Sequence, residues 1–140
     1  MRLGTLAVAI LTLGLILPLG NSAFAGNDPT IKGQLRADIQ KAMQGYVAQR
    51  TVDGAFLLYD PVTDEVLRLT SAGIHKGIVK EGDFYVSCAG FKDQHGRDID
   101  VDIMVIADDD NLRASQAFVH TVGGVKRVYN LWTKWPPVPD

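Results

Sequence analysis

Disulfide cross-linking within the chain is ruled out, because the 140 residues hold a single cysteine, Cys88. A small domain without a disulfide must be held by its core alone. Cationic excess is also missing: 14 Lys and Arg stand against 16 Asp and Glu, which argues against nucleic acid as a partner. No apolar run approaches the roughly 20 residues of a membrane-spanning helix. Motifs that carry chemistry at fixed spacing are missing too. There is no His-x-x-x-His or Cys/His ligand pair for a zinc site of usual form, and no Gly-x-Ser-x-Gly elbow. No glycine-rich loop opens a helix to cradle phosphate. The sequence therefore carries no signature of one particular reaction.

What is present begins with an address. Arg2 precedes the apolar stretch Leu6 to Leu17, Pro18 follows, and Ala23-Phe24-Ala25 stands before Gly26. That order is the pattern of a secretory signal peptide over residues 1–25, not of a membrane anchor. Its removal takes away Arg2 and leaves a single domain, residues 26–140, of 115 residues and formal charge −3. The expected location is the periplasm or outside the cell, with no stable membrane insertion after cleavage.

Hydrophobic periodicity then divides the domain. Ile31, Leu35, Ile39, Ala42, Met43, Tyr46 and Val47 recur at spacings of three and four, which predicts an amphipathic helix over about 29–50. Asp28-Pro29 supplies the start signal, a capping residue before proline. Beyond it the period becomes two. Strands are expected at 55–59, 65–70, 74–80, 84–91, 98–107, 112–122 and 125–132, separated by turn residues such as Asp60-Pro61-Val62-Thr63-Asp64 and Gly123-Gly124. The Pro-rich tail 133–140 cannot enter a sheet interior. The expected class is α+β: one N-terminal amphipathic helix packed on a curled antiparallel sheet.

The candidate site residues lie on one of these strands and in the tail. Asp98, Asp100 and Asp102 alternate with Ile99, Val101 and Ile103, so three carboxylates share a strand face. Six of the 16 acids fall between Asp98 and Asp110. A calcium loop of the EF-hand type needs glycine where Ile103 stands. The ~3.3 Å rise of a strand puts the outer pair of carboxylates roughly 13 Å apart, too far for one ion. A solvated acidic face that discourages edge pairing is the simpler expectation, and whether it takes a metal is left open. With His95-Gly96 as a two-residue loop, Asp98 falls opposite Asp93, Asp100 opposite Phe91 and Asp102 opposite Ala89. Cys88 then falls opposite Ile103, facing the helix as a small core residue. Trp132 and Trp135, beside prolines, are candidate interface anchors.

In element order the mature chain resembles the cystatin-like and NTF2-like α+β group, nearer the former because one helix is visible. The segment from Tyr59 to Thr70, YDPVTDEVLRLT, is similar to small uncharacterised exported bacterial proteins. The NTF2-like resemblance implies a pocket between helix and sheet, with His120, Tyr85, Tyr129 and a strand aspartate as candidate groups; one helix and 115 residues suit a filled core better. The cystatin resemblance implies protease inhibition through a Gln-x-Val-x-Gly hairpin and a Pro-Trp loop. No hairpin here reads so, and Trp135-Pro136 is in reversed order. The expectation that remains is an exported non-catalytic binding or accessory protein, without a cofactor, that engages a protein partner or a second copy of itself. Its candidate surfaces are Asp98, Asp100 and Asp102, and Trp132 and Trp135.

Overall fold

The structure is a computed structural model that describes residues 26–108 and 111–127. The leader 1–25, Asp109 and Asp110, and residues 128–140 with Tyr129, Trp132, Trp135 and the Pro-rich tail lie outside the described residues. One helix, α1 (Gly33–Gln49), is followed by β1 (Thr51–Val52), β2 (Ala55–Asp60), β3 (Glu65–Glu81), β4 (Phe84–Lys92), β5 (Asp98–Asp108), β6 (Asn111–Val122) and β7 (Val125–Lys126). The strands pair antiparallel in chain order, a seven-stranded meander. The sheet is curled and open, and α1 packs inside the curl, mainly against β6 and β5. The α+β expectation holds.

α1 begins four residues later than the capping signal suggests. The Asp28 carboxylate accepts from the Thr30 amide at 2.8 Å and the Thr30 hydroxyl at 2.7 Å, so it closes a turn instead of a helix. The Asp28 amide donates to the Ile78 carbonyl, tying the segment to β3, and Gly33 at φ 58° lets the chain bend into the helix. The apolar stripe is as expected except at its start, where Ile31 is buried ahead of the helix and Leu35 is 37% exposed. Ile39 and Met43 are fully buried, and Ala42, Tyr46 and Val47 pack against the same core.

Two expected strands, 65–70 and 74–80, are one strand of 17 residues, β3. Its register shifts between Ser71 and Gly73 and again between Ile74 and Ile78, so residues 75–77 bow outward. The Ser87 hydroxyl donates to the freed Gly77 carbonyl at 2.7 Å. Bulges bend a strand and add twist. The first third of β3 pairs with β2 and the remainder with β4, so this one strand carries the sheet around the helix. β1 went unseen because it is only two residues long, although Asp53 (φ 50°) and Gly54 (φ 77°) form a tight turn of the kind Asp-Gly favours. Gly123 (φ 56°) and Gly124 (φ 79°) make the expected second one. β7 is Val125–Lys126; residues 128–132 of the strand expected there lie outside the described residues.

The helix-facing side holds the apolar core, bordered by an open groove between α1 and the start of β6. Phe56, Leu58, Leu67, Leu69, Ile78 and Phe91 meet Ile99, Val101, Ile103, Val105 and Val119 there. At its margin sits a charge. Asp60 is 1% exposed, and the Arg127 guanidinium grips its carboxylate with both terminal nitrogens. The Val62 amide and Thr63 hydroxyl complete its bonding at 3.1 and 3.0 Å. Burial alone pushes this carboxyl up; the bonds from Arg127, Val62 and Thr63 outweigh it and hold the group below its ordinary value. The pair links β2 to the chain just past β7, across the opening of the curl.

Removing one partner of a buried ion pair strands the other. Arg127→Leu is expected to cost about 3 kcal/mol at pH 7, read by urea denaturation. The contribution of Asp60 to stability is complete above the ordinary carboxylate pKa and vanishes as pH falls through the depressed folded value. The stability gap between wild type and Asp60→Asn should therefore narrow below about pH 4; a gap that is independent of pH would refute this account of the pair.

Candidate functional site

The site follows from how β4 turns into β5. The connection is not a two-residue loop at His95-Gly96. Lys92 and Asp98 form the last pair, and residues 93–97 make a longer turn. Asp93, its side chain wholly buried, organises that turn. Its carboxylate accepts from the His95 amide at 2.9 Å, the Arg97 amide at 2.8 Å and Arg97 Nε at 2.6 Å. The backbone closes the turn through Asp93 N–H to the Arg97 carbonyl and Gly96 N–H to the Asp93 carbonyl. Gly96 takes the positive φ of the turn (79°). Burial acts first to raise the Asp93 pKa, but the bonds from Arg97 and His95 prevail and lower it.

This turn shifts the pairing by one residue from the expected register. A one-residue slip exchanges the two faces of a strand. Asp98 pairs with Lys92, Asp100 with Gly90, and Asp102 with Cys88. The expectation that Cys88 faces the helix opposite Ile103 is thus wrong. Cys88 lies on the far side of the sheet, on the same face as the aspartates.

The three aspartates do share that face, but in unlike surroundings. Their side chains are 74%, 37% and 8% exposed for Asp98, Asp100 and Asp102. Asp98 sits apart in an ion pair with Lys92 at 2.6 Å, on the exposed margin. Asp100 accepts from the Thr121 hydroxyl at 2.8 Å and has His75 Nε2 at 3.7 Å. Gly90 permits that approach, since a Cβ there would come within 3.3 Å of His75 Nε2. Asp102 is the hub. Cys88 Sγ donates to Oδ1 at 2.5 Å, and His120 Nδ1 meets Oδ2 at 2.6 Å.

His120 and Thr121 are consecutive in β6, yet both address this face. The register with β5 shifts between Asp100 and Val101: Asp100 faces Thr121 while Val101 faces Val119, which leaves His120 as the extra residue. A bulge of this kind presents two successive side chains on one side. Asp100 and Asp102, two positions apart in β5, are thereby each given a partner from adjacent residues of β6. The donor atoms of Cys88, Asp102 and His120 all lie within 4.8 Å of one another. His120 Nε2 is buried with no hydrogen-bond partner among the described residues.

The chemistry this arrangement favours is not nucleophilic. Burial raises the Cys88 thiol pKa far above its ordinary value, and the neighbouring Asp102 charge raises it further. The order is thiol–carboxylate–imidazole, so the imidazole is not placed to take the thiol proton, as a cysteine nucleophile requires. The groups expected to line a cone pocket are also divided: Tyr85 packs against the helix-facing core, while His120 is on the opposite face. Residues missed in the sequence are Cys88, assigned to the wrong face, and Thr121. Trp132 and Trp135 lie outside the described residues.

Comparisons with known protein families, with curated proteins and with solved structures found no match.

Two outcomes follow from the geometry. Asp93→Ala should lower stability by about 1–3 kcal/mol in urea titration, with Asp93→Asn costing less because it keeps an acceptor; equal stability of all three chains would remove Asp93 as the organiser of the turn. Cys88 should react with a disulfide reagent at least ~100-fold more slowly in the native protein than in denaturant. Comparable rates, followed by thiol absorbance, would contradict the buried, protonated thiol.

Proposed function

We propose that this chain is a small exported binding or accessory protein, non-catalytic, whose ligand engages the face of β4, β5 and β6 that lies away from the helix. The observation that carries the reading is the polar grouping on one face. Apolar side chains line the helix-facing side, whereas the other carries two hydrogen-bonded groups, Cys88–Asp102–His120 and Asp100–Thr121, beside the buried Val86, Met104 and Phe118. Two carboxylates, an imidazole and a thiol favour a cationic ligand. The leader-like order of residues 1–25 supports a periplasmic or secreted location. One helix on a curled meander supports a cystatin-like arrangement as the finer description of the fold, and no inhibitory motif accompanies it.

A ligand that binds only the native state stabilises it by RT ln(1 + [L]/Kd), about 2.7 kcal/mol at a hundredfold excess over Kd. Thermal denaturation is therefore expected to shift upward with divalent cations or a lysine-rich peptide, and the shift should disappear in the Asp100→Asn/Asp102→Asn chain. No shift with any cationic ligand, or a shift that persists in the double variant, would sink the reading. Fractionation of cells expressing the full chain checks the location; recovery in the cytosol would exclude export.

A further inference from the structure

We infer that Cys88, Asp102 and His120 form a site for a divalent transition-metal ion of the zinc class, an inference that rests on the cationic-ligand reading of this sheet face. The donor set is thiol sulfur, carboxylate oxygen and imidazole nitrogen. Soft and borderline donors of this kind select zinc-like ions. Calcium and magnesium require six or more oxygens, and this cluster offers a single carboxylate.

Geometry agrees with that choice. Zinc bonds of about 2.0–2.3 Å in tetrahedral array set the ligand atoms roughly 3.3–3.8 Å apart. Here the three donor atoms already lie within 4.8 Å of one another. The contacts to Asp102, at 2.5 Å from Cys88 and 2.6 Å from His120, need only open by about 1 Å to admit an ion. Each donor comes from a different neighbouring strand, β4, β5 and β6, held in register by backbone pairing. The positions are thus set by the sheet, not by flexible loops.

Charge balance points the same way. A thiolate and a carboxylate carry two negative charges, which one divalent ion cancels, and a neutral imidazole adds none. A buried site is stable only when its charges sum close to zero. His120 meets the carboxylate through Nδ1, the nitrogen that would take the ion, which leaves Nε2, buried and without a partner among the described residues, to carry the ring proton. Three protein donors leave one tetrahedral position for water or an incoming group.

Cobalt(II) titration of the purified, untagged chain tests this, with zinc as competitor. Expected are one ion per chain, absorption typical of tetrahedral cobalt with a sulfur-to-cobalt charge-transfer band, and displacement by one equivalent of zinc. Cys88→Ser should abolish the charge-transfer band, and Asp102→Asn and His120→Gln should each weaken binding at least ~10-fold. Asp98→Asn, on the same strand but outside the cluster, should bind as wild type. Far-UV circular dichroism on each variant separates lost binding from lost fold; if Asp102→Asn fails to fold, Cys88→Ser and His120→Gln carry the test. Folded protein that binds neither ion, or binds cobalt without a thiolate band, overturns the inference. If a lysine-rich peptide still raises the melting temperature through Asp100 and Asp102 in that case, the metal site is lost and the binding-face reading stands. If nothing stabilises the chain, both fall.

Discussion

The three bonds that the buried Asp93 carboxylate accepts fix the length of the turn between β4 and β5, and the rest of the site depends on that length. One residue fewer in the turn would slide Cys88 off Asp102 and exchange the two faces of one strand relative to the other. The turn is short-range chemistry with a long-range result. A carboxylate that satisfies its own loop determines which side chains meet some 5 to 10 residues farther along both strands. The helix-facing core accepts the result because Phe91, Ala89, Ile99, Val101 and Ile103 then all fall on the apolar side.

Much of the architecture could be read from the sequence, for reasons that are local. The stripe of Ile39, Met43 and their neighbours has an unambiguous helical period, and the strand segments alternate clearly. Gly123-Gly124 admits little besides a tight hairpin. Two features were beyond such reading. The bulges that fuse the expected strands 65–70 and 74–80 into β3 leave no mark, because Gly73 looks like a turn residue that separates strands and Gly77 falls inside the second expected strand. The register of β4 against β5 is hidden because His95-Gly96 resembles a two-residue hairpin loop, and nothing in Asp93 announces that its side chain is buried.

The site was half visible for the same reason. Asp98, Asp100 and Asp102 advertise themselves by alternation, and they do share a face. Alternation cannot say that Asp98 ends in an exposed ion pair while Asp102 ends almost wholly buried. That gradient comes from what stands opposite each carboxylate: Lys92, Gly90 and Cys88 in turn. Nor can a period of two reveal His120 and Thr121 as partners, since adjacent residues in a regular strand point to opposite sides. Only the extra residue in β6 turns both toward the carboxylates.

The continuity of β3 has a thermodynamic consequence. Had the chain turned between residues 70 and 74, β1 and β2 with the start of β3 could have formed one unit and the remaining strands another, each with its own melting behaviour. Instead one strand donates and accepts backbone bonds in both halves of the curl, and α1 is enclosed by both. Fraying of either half removes the edge on which the other is built. One backbone segment thus couples the two halves of the sheet, so that the opening of one is felt by the other.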